Sequence, residues 1–133
     1  NILDAALSNK GNLKVFGDDY PTPDGSCVRD YVHVTDLAQA HLLGLKYMRK
    51  NEGFSAFNLG NGHGFSVLEI IKHCEYSVCK NIGFKILPRR EGDPAVLVAD
   101  NSKAIDLLLW LPLHSSIESI LGSAYKWHQR YEA

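Results

Sequence analysis

The period of the apolar residues switches within one short stretch, and that switch limits the possible folds more than any other feature. Val28, Asp30, Val32 and Val34 alternate with Arg29, Tyr31 and His33. This period of two predicts a strand with one mostly valine face and one face carrying the arginine, tyrosine and histidine. From Leu37 the apolar residues recur as Leu37, Ala38, His41, Leu42, Leu45 and Met48, the spacing of a buried helical side running to about Lys50. Thr35 is placed to cap that helix, and Asp36 in its first turn complements the dipole. A polar stretch with two prolines and an Asp24-Gly25 turn signal leads into the strand.

The same alternation runs through the whole chain. Residues 1–9 read as helix, with Ile2, Leu3, Ala6 and Leu7 on one face and Gly11 suited to a left-handed cap. Strands are predicted at 13–16, 54–59 and 84–87, and residues 95–99 read as extended. Ser66-Val67-Leu68-Glu69 has the form of a capping box, with Val67, Ile70, Ile71, Cys74 and Val78 as the apolar stripe of the helix it opens. Asp100-Asn101-Ser102 precedes a helix to about Leu109, and Ser115-Ser116-Ile117-Glu118 has the form of a second box. The last helix is expected to bury Ile117, Leu121, Ala124, His128 and Tyr131, with Trp127 at the edge. Helices and strands in alternation define an α/β fold, here short strands flanked by about five helices in one domain covering 1–133.

Composition excludes some partners. A formal charge of −1 gives no general attraction to nucleic acid or an anionic membrane. No apolar run approaches the ~20 residues of a membrane span. Cys27, Cys74 and Cys79 are too few and too oddly spaced for a disulfide framework or a paired metal site; Cys74 falls on an apolar stripe and reads as a small core residue. The chain begins Asn1-Ile2-Leu3-Asp4, which reads as a helix already in progress and leads us to expect a longer protein.

Three places carry chemistry. Arg29, on a strand among apolar residues, either pairs with a carboxylate such as Asp30, Glu91 or Asp93 or grips a phosphate through its planar fork. Gly60-Asn61-Gly62-His63-Gly64 lies between a predicted strand and a helix, the context of a phosphate cradle. Its spacing is G-x-G-x-G, however, and a tight strand-to-helix turn is the preferred reading over a dinucleotide fingerprint. Arg89-Arg90-Glu91-Gly92-Asp93 is either a solvated charge cluster or an anion clamp oriented by its own acids.

The run FGDDYPTPDGSCVRDYVHVTDLAQAH from Phe16 to His41 resembles the corresponding segment of the UDP-glucose 4-epimerase family, in the extended short-chain dehydrogenase/reductase superfamily. FNLGNG at 57–62 followed by GFSV at 64–67, and RREGDP at 89–94, match in the same order. The resemblance covers nearly the whole chain but only the C-terminal, substrate-binding part of the Rossmann-type family fold. It implies that Lys14, Val15 and Phe16 lie by the uracil of a UDP-sugar, that Val67 lies by the nucleoside, that Arg29 and Arg90 bind the diphosphate, and that Asp93 holds the ribose, within a motif that includes Glu91 and Gly92. Many relatives carry a nucleotide-contacting tyrosine where this chain has Leu97. The resemblance also implies UDP-glucose and UDP-galactose as substrates, NAD held mainly by an upstream dinucleotide-binding part, a cytoplasmic homodimer, and a strand at 54–59 that joins the upstream sheet. The family's catalytic tyrosine and glycine fingerprint have no counterpart at the expected places, since Tyr76 and Lys80 lie late in the chain. The chain alone is therefore expected to be inactive. A stand-alone nucleotide-sugar-binding module and a sister enzyme such as a dehydratase or decarboxylase are the alternatives.

Overall fold

The computed structural model describes residues 2–8 and 13–131. Among them the chain forms five helices and five short strands. In order these are α1 (Ile2–Ser8), β1 (Leu13–Phe16), β2 (Val28–Asp30), α2 (Val34–Met48), β3 (Gly64–Ser66), α3 (Val67–Val78), β4 (Phe84–Leu87), β5 (Val96–Leu97), α4 (Ser102–Leu108) and α5 (Ile117–Tyr131). The α/β expectation holds. No helix of the described residues is long and apolar enough to cross a membrane.

Two small sheets set the geometry. β1 and β4 pair in parallel, from Leu13 opposite Phe84 to Phe16 opposite Leu87. The second sheet has the order β3-β2-β5, with β2 antiparallel to β3 and parallel to β5. In that register Arg29 stands opposite both Phe65 and Leu97.

The main core joins α1, β1, α3 and α5. Leu3, Ala6, Leu13, Val15, Ile70, Ile71, Cys74, Ile82, Ile117 and Leu121 are buried together. The predicted stripe of α3 is thus its core face, with Val67 and Val78 packed against the cluster. Cys74 is a core residue, and all three cysteines are free. Ion contact between His128 and Asp4 at 3.3 Å adds a polar tie between α5 and α1. A smaller cluster gathers Ala40, Ala104, Leu108 and Trp110, whose indole N–H donates to the Asp36 carbonyl at 2.9 Å.

Several expectations are corrected. β2 stops at Asp30, because Tyr31 to His33 has left the ladder. β3 is a strand that the sequence pattern did not reveal, formed because Gly64–Ser66 pairs with β2. Residues 54–59 form no strand, and Phe54 is almost wholly exposed: no described strand lies beside them to pair. α2 buries Asp36 and Ala40 rather than its apolar stripe, leaving Leu42, Leu45 and Met48 exposed. It is capped by His33, whose Nδ1 accepts from the Thr35 N–H at 3.1 Å. With Nδ1 accepting, a neutral His33 ring carries its proton on Nε2, 2.8 Å from the Ser123 hydroxyl. The second capping box is absent. Ser115 spends its hydroxyl on the buried Asp36 carboxylate at 2.6 Å, and Ser116 accepts from the Ser119 N–H instead. The Gly11 cap and the Tyr131 side chain lie outside the described residues.

Candidate functional site

The two parallel strand ends bring together residues far apart in sequence. Phe16 closes β1 opposite Leu87, and the Gly17 N–H donates to the Leu87 carbonyl at 2.8 Å. The segment after β4 must therefore leave over Phe16, and the Arg90 guanidinium lies 3.7 Å above that ring. Arg89 takes the neighbouring aromatic, 4.3 Å above Tyr20, and pairs with Asp19 at 2.6 Å. Gly17 makes this packing possible: a Cβ there would sit 2.5 Å from the Tyr20 ring and 2.8 Å from the Arg89 stem, and its φ is +85°. The Arg89 hydrogen bond holds the Asp19 carboxyl below its usual range, and the same bond raises Arg89.

The second pair is Arg29 with Asp93. Nη1 of Arg29 donates to the Val28 carbonyl at 2.8 Å and the Pro94 carbonyl at 2.9 Å, and Nη2 is 3.5 Å from Asp93 Oδ1. The stretch 90–94 is a turn, closed by the Asp93 N–H to the Arg90 carbonyl at 3.3 Å, with Gly92 at φ +81° and Glu91 and Gly92 exposed. One short turn thus carries Arg90 to Phe16 and Asp93 to Arg29. Asp30 is not the partner of Arg29. Its carboxylate accepts the backbone N–H groups of Asn61 at 2.8 Å, Gly62 at 3.2 Å and Ala99 at 3.2 Å. Arg29 and Asp30 line an open cleft of about 340 Å³ with Asn58, Leu97, Val98, Ala99 and Asp100.

The remaining sequence candidates fall around these pairs. Lys14 is exposed, whereas the Val15 side chain is in the core, so Val15 offers a ligand only its backbone. Val67, half-buried, opens α3 immediately after Ser66, which stands opposite Val28, and its N–H donates to the Cys27 carbonyl at 3.1 Å. Val67 therefore lies just past the end of the ladder, against Cys27 and two positions along from Arg29, whose own partner across it is Phe65. The glycine loop before α3 is not a phosphate cradle. The first α3 donors are already taken: Val67 N–H by Cys27 O, Leu68 N–H by Ser26 Oγ at 3.2 Å, and Glu69 N–H by Ser66 Oγ at 3.0 Å. The expected strand-to-helix turn is corrected as well: residues 54–59 form no strand and the loop runs into β3 before α3, and its residues do not fit a dinucleotide pyrophosphate. Ser26 and Asp24, which build that closure, were missed in the sequence as more than a turn; the Asp24-Gly25 signal marked the place but not the partner.

This fold is shared with part of the solved UDP-glucose 4-epimerases, which are extended short-chain dehydrogenase/reductase epimerases. The NAD dependent epimerase/dehydratase family matches residues 1–60. A UDP-glucose 4-epimerase of Halalkalibacterium halodurans is 46% identical over 98% of this chain and 39% of its own length. A crystal structure of a UDP-glucose 4-epimerase from Stenotrophomonas maltophila, with bound NAD and formylated UDP-arabinopyranose, superimposes with a TM-score of 0.92 at 41% identity, over 98% of this chain and 39% of that one. One from Bifidobacterium longum, in complex with NAD+ and UDP, gives 0.91 at 40% identity, over 98% and 38%. The chain is thus similar, almost throughout, to UDP-glucose 4-epimerases, and it spans about two fifths of the length of the relatives it matches.

Proposed function

We propose that this chain is the C-terminal, UDP-sugar-holding part of a UDP-glucose 4-epimerase that interconverts UDP-glucose and UDP-galactose. The observation that carries the reading is the convergence of Arg29 with Asp93 and of Arg90 with Phe16 through one five-residue turn. Two guanidiniums beside an aromatic ring and a carboxylate match the needs of a uridine diphosphate: cations for the diphosphate, a ring and the Lys14–Phe16 backbone for the base, Asp93 for ribose hydroxyls, and Val67 as an apolar wall. Glu91 and Gly92 are the turn that presents them. NAD belongs to a dinucleotide-binding part outside this chain, in keeping with the engaged N–H groups at the start of α3. The catalytic acid–base group belongs there too: Tyr76 is exposed on α3, while Lys80 lies past its left-handed C-cap, Cys79, so the two do not make a Tyr-x-x-x-Lys pair on one helix face. By itself the chain is inactive.

The same reading accounts for the apolar surface. His41, Leu45 and Met48 of α2 border a groove floored by Phe57, Leu59 and Leu108, and the unpaired 54–59 segment runs beside it. In a cytoplasmic enzyme whose relatives are more than twice as long, the dinucleotide-binding part covers this face.

The test is calorimetric titration of UDP into the complete protein carrying Arg29→Ala or Arg90→Ala. A charge-assisted bond to phosphate is worth roughly 1.5–3 kcal/mol, so each change weakens UDP by about tenfold to a hundredfold, with bound NAD retained. Unaltered affinity in both variants, with lower melting temperatures, would make the arginines structural and retire the reading.

A further inference from the structure

A part-buried polar knot joins the segment leading into the strand that carries Arg29 to the helix that starts at Val67. The Asp24 carboxylate is its centre. Oδ1 accepts the Ser26 N–H at 3.0 Å and the Ser26 hydroxyl at 2.8 Å, and Oδ2 accepts the Ser66 hydroxyl in a short bond. Ser26 is 0% and Ser66 2% exposed, so water cannot replace a lost partner. Each hydroxyl has a single proton, and both protons point at Asp24. Their lone pairs are thereby left for the Leu68 and Glu69 N–H groups in the first turn of α3. One carboxylate thus fixes the direction of two capping hydroxyls, one from each side of the strand–helix junction. The turn has little freedom to yield. Gly25 has φ +80°, and a Cβ there would lie 1.9 Å from the Asp18 carbonyl oxygen; Thr22 Oγ1 also holds the Ser26 carbonyl at 2.7 Å.

We infer that Asp24 is a positioning residue for nucleotide binding: by orienting the Ser26 and Ser66 hydroxyls it holds the Val67 wall in register with Arg29. This rests on the UDP-binding reading above, and Asp24 itself touches no ligand in it. Asparagine keeps the size of Asp24 but turns one acceptor into a donor. The hydroxyl facing that end must then accept from the amide and turn its proton elsewhere, so its acceptance of the α3 N–H is no longer oriented by a charge and weakens. The first turn of α3 then frays or tilts, and Val67 moves with it, while Arg29 stays in its ladder.

The experiment uses the complete protein with Asp24→Asn, Ser66→Ala, the double variant, and Arg29→Ala beside them. UDP affinity is measured by calorimetry at a temperature where every variant retains its native near-ultraviolet spectrum. The expected result is a five- to twentyfold weaker UDP affinity for Asp24→Asn, unchanged NAD content, and a double variant no weaker than the worse single one, because both act through one knot. Faster amide exchange at Leu68 and Glu69 accompanies it. If Asp24→Asn proves too unstable to titrate, Ser66→Ala, which removes a single hydroxyl, carries the same expectation. Unchanged UDP affinity in the titrated variants, with Arg29→Ala still weakening it, overturns the positioning role and leaves the binding reading standing. Unchanged affinity in all of them, Arg29→Ala included, removes both.

Discussion

Asp30→Asn isolates the contact that fastens the glycine loop and the segment after β5 to β2. In the native chain one carboxylate accepts three backbone N–H groups, from Asn61, Gly62 and Ala99. Gly60 lies flat against it, since a Cβ there would come within 2.3 Å of Asp30 Oδ2 and 2.4 Å of the Ala99 methyl. Oδ1 serves Asn61, and Oδ2 serves both Gly62 and Ala99. An asparagine keeps one oxygen and sets an NH2 against whatever the other served. If the amide keeps Gly62 and Ala99, it loses Asn61; in the reverse orientation it loses two bonds. The first choice sacrifices one charge-assisted bond, roughly 1.5–3 kcal/mol, and weakens the two others by removing the charge. A total of about 3 kcal/mol follows, or roughly a hundredfold in a local opening equilibrium, since each 1.4 kcal/mol is a factor of about ten. Native-state amide exchange on the complete protein reads this directly at Asn61, Gly62 and Ala99, with the α3 core amides as internal reference. A loss of protection below about fivefold at these three sites would refute the view that Asp30 is their anchor. So would an equal loss throughout the core, which would mean global destabilisation rather than release of one loop.

Leu109→Gly should stabilise the protein: Leu109 sits in the left-handed region at φ +54° with its side chain 80% exposed, so relief of about 1–2 kcal/mol of strain exceeds the roughly 0.4–1 kcal/mol of extra unfolded-chain entropy, a gain of a few tenths to about 1 kcal/mol by urea unfolding. Stability should also fall in acid through Asp24: burial raises its carboxyl, but the Ser66 hydroxyl, the Ser26 N–H and hydroxyl, and the Lys72 charge outweigh burial and hold it below 3.8. A depressed carboxyl stabilises the fold above its unfolded value and loses that contribution as pH drops through the folded one, so Asp24→Asn should flatten the stability profile below about pH 4, and an unchanged slope there would contradict it. Leu45→Asp, on the open face of α2, should destabilise the complete protein by at least about 1–3 kcal/mol, the penalty of a buried unpaired polar group; a change within about 0.5 kcal/mol would mean that nothing covers this face.

What the sequence disclosed depended on whether a feature carried its own partner. The box at Ser66 and Glu69 is reciprocal and local, and it appears as expected, with Ser66 N–H to Glu69 Oε2 at 2.7 Å and Glu69 N–H to Ser66 Oγ at 3.0 Å. The look-alike at Ser115 failed because its hydroxyl has a competitor 79 positions away in the chain, the buried Asp36 carboxylate. α2 shows the same limit for apolar stripes. Its period was legible, but the stripe through Leu42, Leu45 and Met48 faces away from the described core, while Asp36 and Ala40 face inward. Periodicity reports that a face wants cover, not which body supplies it. The 54–59 segment is the strand version of that statement, with strand composition and no neighbour to complete a ladder.

The anion-binding logic of the chain follows from the same accounting of donors. A glycine turn before a helix invites the reading that the helix start holds a phosphate. Here that start is spent within the chain: Cys27, Ser26 and Ser66 supply acceptors for three successive N–H groups, and Asp24 places a negative charge where an anion would otherwise sit. A second anion there would meet like charge and no free donor. Positive charge is instead concentrated on Arg29 and Arg90, each held from one side only, by carbonyls and Asp93 in one case and by the Phe16 ring in the other. Those contacts engage Nη1 and one side of Nη2 in Arg29 and the ring-facing plane of Arg90, and under the proposed function the remaining N–H groups meet the oxyanion. Under the proposed function the chain confines its anion recognition to side chains on the 28–30 strand and the 89–94 turn, and uses the helix terminus to hold the wall beside them.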